Sequence, residues 1–133
     1  MPVTYKMDAA KHLIHTRCIG DVNPGEIADH FQELARDLNR PDWLNVLLDL
    51  TEETSLPETQ DLREVSYQLG ELLRNVRFGA CAIIAPDDAL FGMMRMFEVF
   101  TRDYFAVTRV FRQLSEAEKW LNAANVHPQY LLK

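Results

Sequence analysis

Two stretches of this chain are apolar at almost every position for eight residues and then stop, Trp43–Leu50 (Trp-Leu-Asn-Val-Leu-Leu-Asp-Leu) and Phe78–Ala85 (Phe-Gly-Ala-Cys-Ala-Ile-Ile-Ala). Runs of that length, bounded by polar and turn-forming residues, read as strands buried on both faces. A strand buried on both faces needs layers above and below its sheet. The rest of the chain must therefore supply helices, which restricts the fold to the α/β class.

The intervening segments carry helix signals. Asn23-Pro24-Gly25-Glu26 combines a capping residue, a proline suited to the first helical position and a glutamate at capping-box spacing. Ile27, Phe31, Leu34 and Leu38 follow as one apolar stripe, and Asn39–Asp42 ends it. A second helix is expected from about Asp61 to Asn75, with Leu62, Val65, Leu69, Leu72, Leu73 and Val76 on its buried side. A third starts at Pro86–Asp88 and runs to about Arg102. Its core arc is Leu90, Met93, Met94, Phe97, Phe100 and Thr101. Ser115 reads as the cap of a fourth helix, with Glu118 completing a capping box. Shorter strands are expected at Val3–Met7, His12–Ile19 and Phe105–Arg112, the first two joined as a hairpin through Asp8–Lys11. The tail from Asn125 to Lys133 reads as irregular. The order is β-β-α-β-α-β-α-β-α. Helical crossovers make the strands mostly parallel, and right-handed crossovers wind the helices around the sheet.

One domain spanning residues 1–133 is expected, because 133 residues suit a single core. A chain of this size needs no disulfide or metal to hold it. Its two cysteines, Cys18 and Cys81, lie in apolar runs and read as core thiols. A formal net charge of −6 argues against general binding to nucleic acid or anionic membrane. No apolar run approaches the ~20 residues of a membrane span. Residues 1–8 lack the basic-then-apolar pattern of a signal peptide, so the cytoplasm is the expected location.

The common catalytic patterns are missing from the sequence. There is no Gly-x-Ser-x-Gly elbow, no His-Glu-x-x-His and no Gly-x-Gly-x-x-Gly or Walker-type phosphate loop. His12, His15, His30 and His127 are scattered and read as structural or solvated side chains, so no metal or cofactor is expected. Two features stand out instead. The stretch Asp49-Leu-Thr-Glu-Glu-Thr-Ser-Leu56 follows the central strand at its carboxyl end, where α/β folds place ligands. Its Asp49, Thr51, Thr54 and Ser55 form a candidate regulatory or partner-binding loop, or else an ordinary polar connection with capping residues. The third helix has more apolar surface than one face needs: Phe91, Met96 and Val99 lie off its core arc. With Met94 and Arg95 they form a candidate ligand groove or partner interface, or else a helix buried on two sides.

Five segments together carry a resemblance: Val46–Leu50, Ala82–Pro86, Phe91–Glu98, Val110–Arg112 and Glu116–Leu121. In these the chain resembles the SpoIIAA-like branch of the STAS/SEC14-type domains, small bacterial proteins, over nearly its whole length. The resemblance implies a (βα)n superhelix on a five-stranded, largely parallel sheet. In the anti-sigma-factor antagonists that name the fold, a serine or threonine after the central strand is phosphorylated and switches binding to a partner kinase. Here the matching stretch, Asp49–Leu56, carries Glu52 and Glu53 instead of the compact Asp-Ser-Ser-Gly-Leu pattern, which would repel an incoming phosphate. The SEC14 side of the resemblance implies binding of an apolar ligand. The leading expectation is a non-enzymatic regulatory or protein-binding module, self-associating as a homodimer. The alternative is a carrier for a lipid or other apolar small molecule, bordered by Phe91, Met94, Arg95 and Phe97. A third reading is an enzyme using Asp49 or Asp87 at strand ends.

Overall fold

The structure, a computed structural model, describes residues 2–124. Among these residues it has five strands and four helices: β1 Val3–Asp8, β2 Leu13–Gly20, α1 Pro24–Arg36, β3 Trp43–Glu53, α2 Thr59–Leu72, β4 Arg77–Ile84, α3 Asp88–Phe100, β5 Val107–Phe111 and α4 Leu114–Ala124. The expected element order and fold class are what the structure shows. The tail expected to be irregular lies outside the described residues.

The sheet runs in chain order, β1-β2-β3-β4-β5. β1 pairs with β2 antiparallel, and the other three pairings are parallel. Three successive crossovers step across the sheet in one direction. A right-handed crossover puts its helix on the same face each time, so α1, α2 and α3 pack side by side on one face. The fourth helix covers the opposite face over β3, β4 and β5. Two unequal cores result. Ile14, Leu44, Val46, Ile83, Leu62 and Leu69 belong to the larger, under α1–α3. Leu47, Ala80, Ala82, Ile84, Ala117 and Leu121 form the smaller, under α4.

The ends of elements differ from the sequence expectation for local reasons. Leu38 lies past the end of α1 and is 99% exposed, so it is no part of the buried stripe. The Asp37 amide closes the last turn onto the Leu34 carbonyl, and the chain turns away before Leu38 can face the core. Helix α4 begins at Leu114, so Ser115 sits inside its first turn and is not its cap; the Gln113 carbonyl accepts from the Ala117 amide there. His12 belongs to the hairpin turn, not to β2. Its φ of +52° is left-handed. The ring is held by stacking on Trp43 at 4.0 Å between centroids and by Nδ1 donating to the Trp43 carbonyl at 3.0 Å. Gly20, with φ +72°, ends β2 in a conformation that suits glycine.

Both buried strands carry a bulge. Between the Leu44–Phe78 and Val46–Cys81 pairs, β4 has one residue more than β3. The Asn45 side chain, buried in this gap, accepts the Ala80 amide at 2.8 Å and so satisfies a donor the ladder has dropped. The second bulge lies in β3 and shapes the candidate site.

Candidate functional site

β2 and β3 stay in step through Arg17 and Asp49, but Ile19 pairs with Glu52. Leu50 and Thr51 thus stand opposite Cys18 alone. Side chains alternate along a strand, so one extra residue exchanges the two faces beyond it. Glu52 therefore shares a face with Asp49 and forms an ion pair with Arg17. Glu53 turns to the other face, toward α1 and α2. The strand continues to Glu53, three residues past the expected end at Leu50, because Gly20 and Ile19 still offer it a ladder partner.

On the α1–α3 face lies an apolar cavity of about 120 Å³. Its floor is Ile14, Val46, Leu48 and Cys81 from the sheet; its roof is Ile27, Phe31, Val65 and Leu69 from α1 and α2. Met94 and Phe97 of α3, with Phe78 and Phe105, close one side. Asn23, Pro24, Glu53, Pro57 and Asp61 line it where β2 and β3 end and α1 and α2 begin. This is the carboxyl end of parallel strands, the usual ligand position of the fold class.

Two polar side chains of the lining are buried. His30 is 6% exposed and Thr16 4%. The Thr16 hydroxyl and His30 Nε2 are 3.4 Å apart, while His30 Nδ1 has no partner among the described residues. Tyr5 meets the imidazole edge-on at 5.3 Å and Phe31 lies tilted beside it at 5.8 Å. Burial lowers the imidazole from its ordinary value of 6.5 to about 4, so it is neutral at pH 7. Glu53 behaves in the opposite sense. Burial, aided by the nearby Asp21 charge and opposed by a hydrogen bond from Ser55, raises its carboxyl to about 7. Burial likewise pushes the Cys18 thiol to about 12, and the Cys81 thiol further up.

The residues expected to form a loop site are divided by the β3 bulge. Asp49 lies on the face away from the cavity. It accepts from the Thr51 hydroxyl at 2.6 Å and the Thr51 amide at 3.0 Å, and His15 Nε2 lies 3.3 Å from it. Burial opposes ionisation there, but those hydrogen bonds hold the Asp49 carboxyl below its usual value. Thr54 is exposed, and its amide donates to the Gly20 carbonyl at 2.9 Å. Ser55 turns inward: its hydroxyl accepts the Val22 amide at 3.1 Å and bonds Glu53. The four residues are thus not gathered around one point.

The third-helix residues are also spread around their helix. Met94 lines the cavity. Phe91 lies under the Arg112 guanidinium at 4.3 Å. Arg95 pairs with Glu98 at 3.5 Å. The Met96 sulfur receives the Thr59 hydroxyl at 3.7 Å, and Val99 is 58% exposed. Asp87 caps α3 by accepting the Leu90 amide at 3.0 Å.

His30, Thr16 and Glu53 were not singled out from sequence. His30 does have a signal: three residues after Ile27 and four before Leu34, it falls on the buried stripe, where a histidine is unusual company. Glu53 has none, because its facing depends on the bulge.

No helix among the described residues is long and apolar enough to cross a membrane. No curated protein matches the chain. A solved structure is similar in fold: an uncharacterised protein of the DUF3478 family with a SpoIIAA-like fold from Shewanella loihica PV-4, at 17% identity and a TM-score of 0.58, covering 90% of this chain and 91% of that one. A sequence profile of the SpoIIAA-like family matches residues 13–122. That match spans β2 to α4, the whole parallel sheet and all four helices, and the chain belongs to the SpoIIAA-like family.

Proposed function

We propose that this protein is a binding module whose cavity between the sheet and α1–α3 takes a small apolar molecule. The observation that carries the reading is the cavity itself: about 120 Å³ of apolar space inside the main core. Protein interiors are close-packed, and an apolar void of ~150 Å³ is known to stay dry and admit benzene. Leaving such a space open costs stability, which a ligand offsets. Benzene added to the intact protein should raise its melting temperature by a few degrees. Val65→Phe, which projects a ring from the cavity roof, should abolish that rise. Native mass spectrometry after gentle purification is the companion measurement. No bound molecule there, together with no response to benzene, would sink the reading.

A second reading, association through α3, is supported by Val99 and Met96, 58% and 37% exposed on a helix whose other large apolar side chains are buried or half-buried. Light scattering at high concentration tests it. A dimer should form and should dissociate on Val99→Asp without loss of fold; a strict monomer removes the reading.

A further inference from the structure

We propose that the molecule this cavity is built to hold is small, neutral and aromatic and carries one hydroxyl, a phenol in the simplest case, with that hydroxyl bonded to His30. The inference rests on the reading of the cavity as a ligand site and adds the chemistry of the ligand. Four observations lead to it.

The first is size. A volume of about 120 Å³ suits one ring and is too small to enclose a phospholipid or a long acyl chain. The second is the character of the walls. Phe31, Phe78, Phe97 and Phe105 surround the space with Met94, and aromatic edges and a thioether suit a ring.

The third is charge. Among the described residues no lysine or arginine lines the cavity, and the carboxylates that do are Glu53 and Asp61. The starts of α1 and α2 lie at the same end, and a helix start ordinarily attracts an anion. Here the chain's own side chains occupy those positions. Asn23 Oδ1 accepts the Glu26 amide and Glu26 Oε1 accepts the Asn23 amide, each at 3.0 Å. At α2, Asp61 accepts the Glu58 amide at 2.9 Å. Among the described lining residues a carboxylate or phosphate head would find no cation and two carboxylates, with the cap side chains Asn23 and Asp61 already bonded at the helix starts.

The fourth points to a ligand independently of the others. His30 lines the cavity, is 6% exposed, and has a ring nitrogen, Nδ1, with no partner among the described residues. A buried polar atom left unmatched costs free energy, so it marks a place where a partner belongs. Thr16 beside Nε2 permits either tautomer, because a hydroxyl donates or accepts. If Nε2 carries the proton, Nδ1 needs a donor; if Nδ1 carries it, an acceptor. A ligand hydroxyl serves both cases, whereas a carbonyl serves one. Burial keeps the imidazole uncharged, so it offers hydrogen bonding without electrostatic pull on an anion.

The test compares phenol, benzene and benzoate as ligands of the intact protein at pH 8 by calorimetry and ligand-observed NMR. Phenol should bind about five- to tenfold more tightly than benzene, the net worth of one buried hydrogen bond. Benzoate should bind at least about tenfold more weakly than phenol, having a buried charge without a partner. His30→Leu should erase the advantage of phenol and leave benzene binding in place. A readout in the unaltered chain covers the case in which that variant does not fold: phenol, and not benzene, should move the ¹⁵N resonance of His30 Nδ1. Benzene binding as tightly as phenol, benzoate binding as tightly as phenol, or an unmoved Nδ1 resonance at saturating phenol overturns the inference while the cavity reading stands. If neither benzene nor phenol binds, the cavity reading falls and the inference falls with it.

Discussion

Asn45 occupies the point where β3 and β4 fall out of step, and its side chain does the work of a missing strand residue. An apolar residue there would leave the Ala80 amide buried and unpaired. Asn45→Leu should therefore cost about 1–3 kcal/mol although it makes the strand more apolar. Urea denaturation measures this, and an unchanged midpoint would show that the amide finds another partner. His30 and Glu53 set the pH response. Unfolded, the imidazole takes its proton near 6.5; folded, near 4, so acid favours the unfolded chain and stability falls as pH drops through that window. Glu53 ionises near 4.5 unfolded and near 7 folded, so stability falls as pH rises through that window. The effects are of order 2–3 kcal/mol for His30 and 1–2 kcal/mol for the more open Glu53 after solvent screening. They oppose each other between pH 4.5 and 6.5. Glu53→Gln should leave stability rising with pH across that range, and His30→Leu should leave it falling. Denaturant midpoints at the two ends of the range decide the matter.

At the scale of elements, the two sheet faces are served differently. Among the described residues three helices share one face, and α4 alone covers part of the other. That single helix packs through small residues: Ala117 is fully buried and belongs to the same cluster as Ala80 and Ala82 of β4. Small side chains on both sides let the backbones approach closely, which leaves no room for growth. Ala117→Leu should lift α4 from the sheet and cost about 1–3 kcal/mol. Thermal denaturation checks the loss. Tryptophan fluorescence should shift with it, because Trp120 packs against this cluster and lies 5.6 Å from Phe111. Helix α1, by contrast, is specified from its own residues: the Asn23–Glu26 capping box and Pro24 are all formed as their types predict.

For the whole molecule, the cavity sets stability against binding. Its lining forgoes packing contacts that a filled core would make. Val65→Ile, adding one methyl at the cavity roof, should raise stability by about 0.5–1 kcal/mol in urea and weaken benzene binding. A variant that is destabilised instead would indicate that the roof has no room to fill.

The sequence alone determined the element order, the parallel sheet, the capping box of α1 and most of the buried stripes. These follow from periodicity and from residue types whose conformational preferences act over a few positions. It pointed to the end of β3 and to α3 as places of interest; Met94 lines the cavity, and Ser55 bonds two residues that line it, Val22 and Glu53. The tertiary structure alone decided which side chains meet. One extra residue in β3 sends Asp49 and Thr51 to one face of the sheet and Glu53 and Ser55 to the other. A bulge is a property of two strands held in register, so neither strand's sequence announces it. The space around His30 is likewise a difference between the volume three helices enclose and the volume their side chains fill. That difference exists only once the helices are packed.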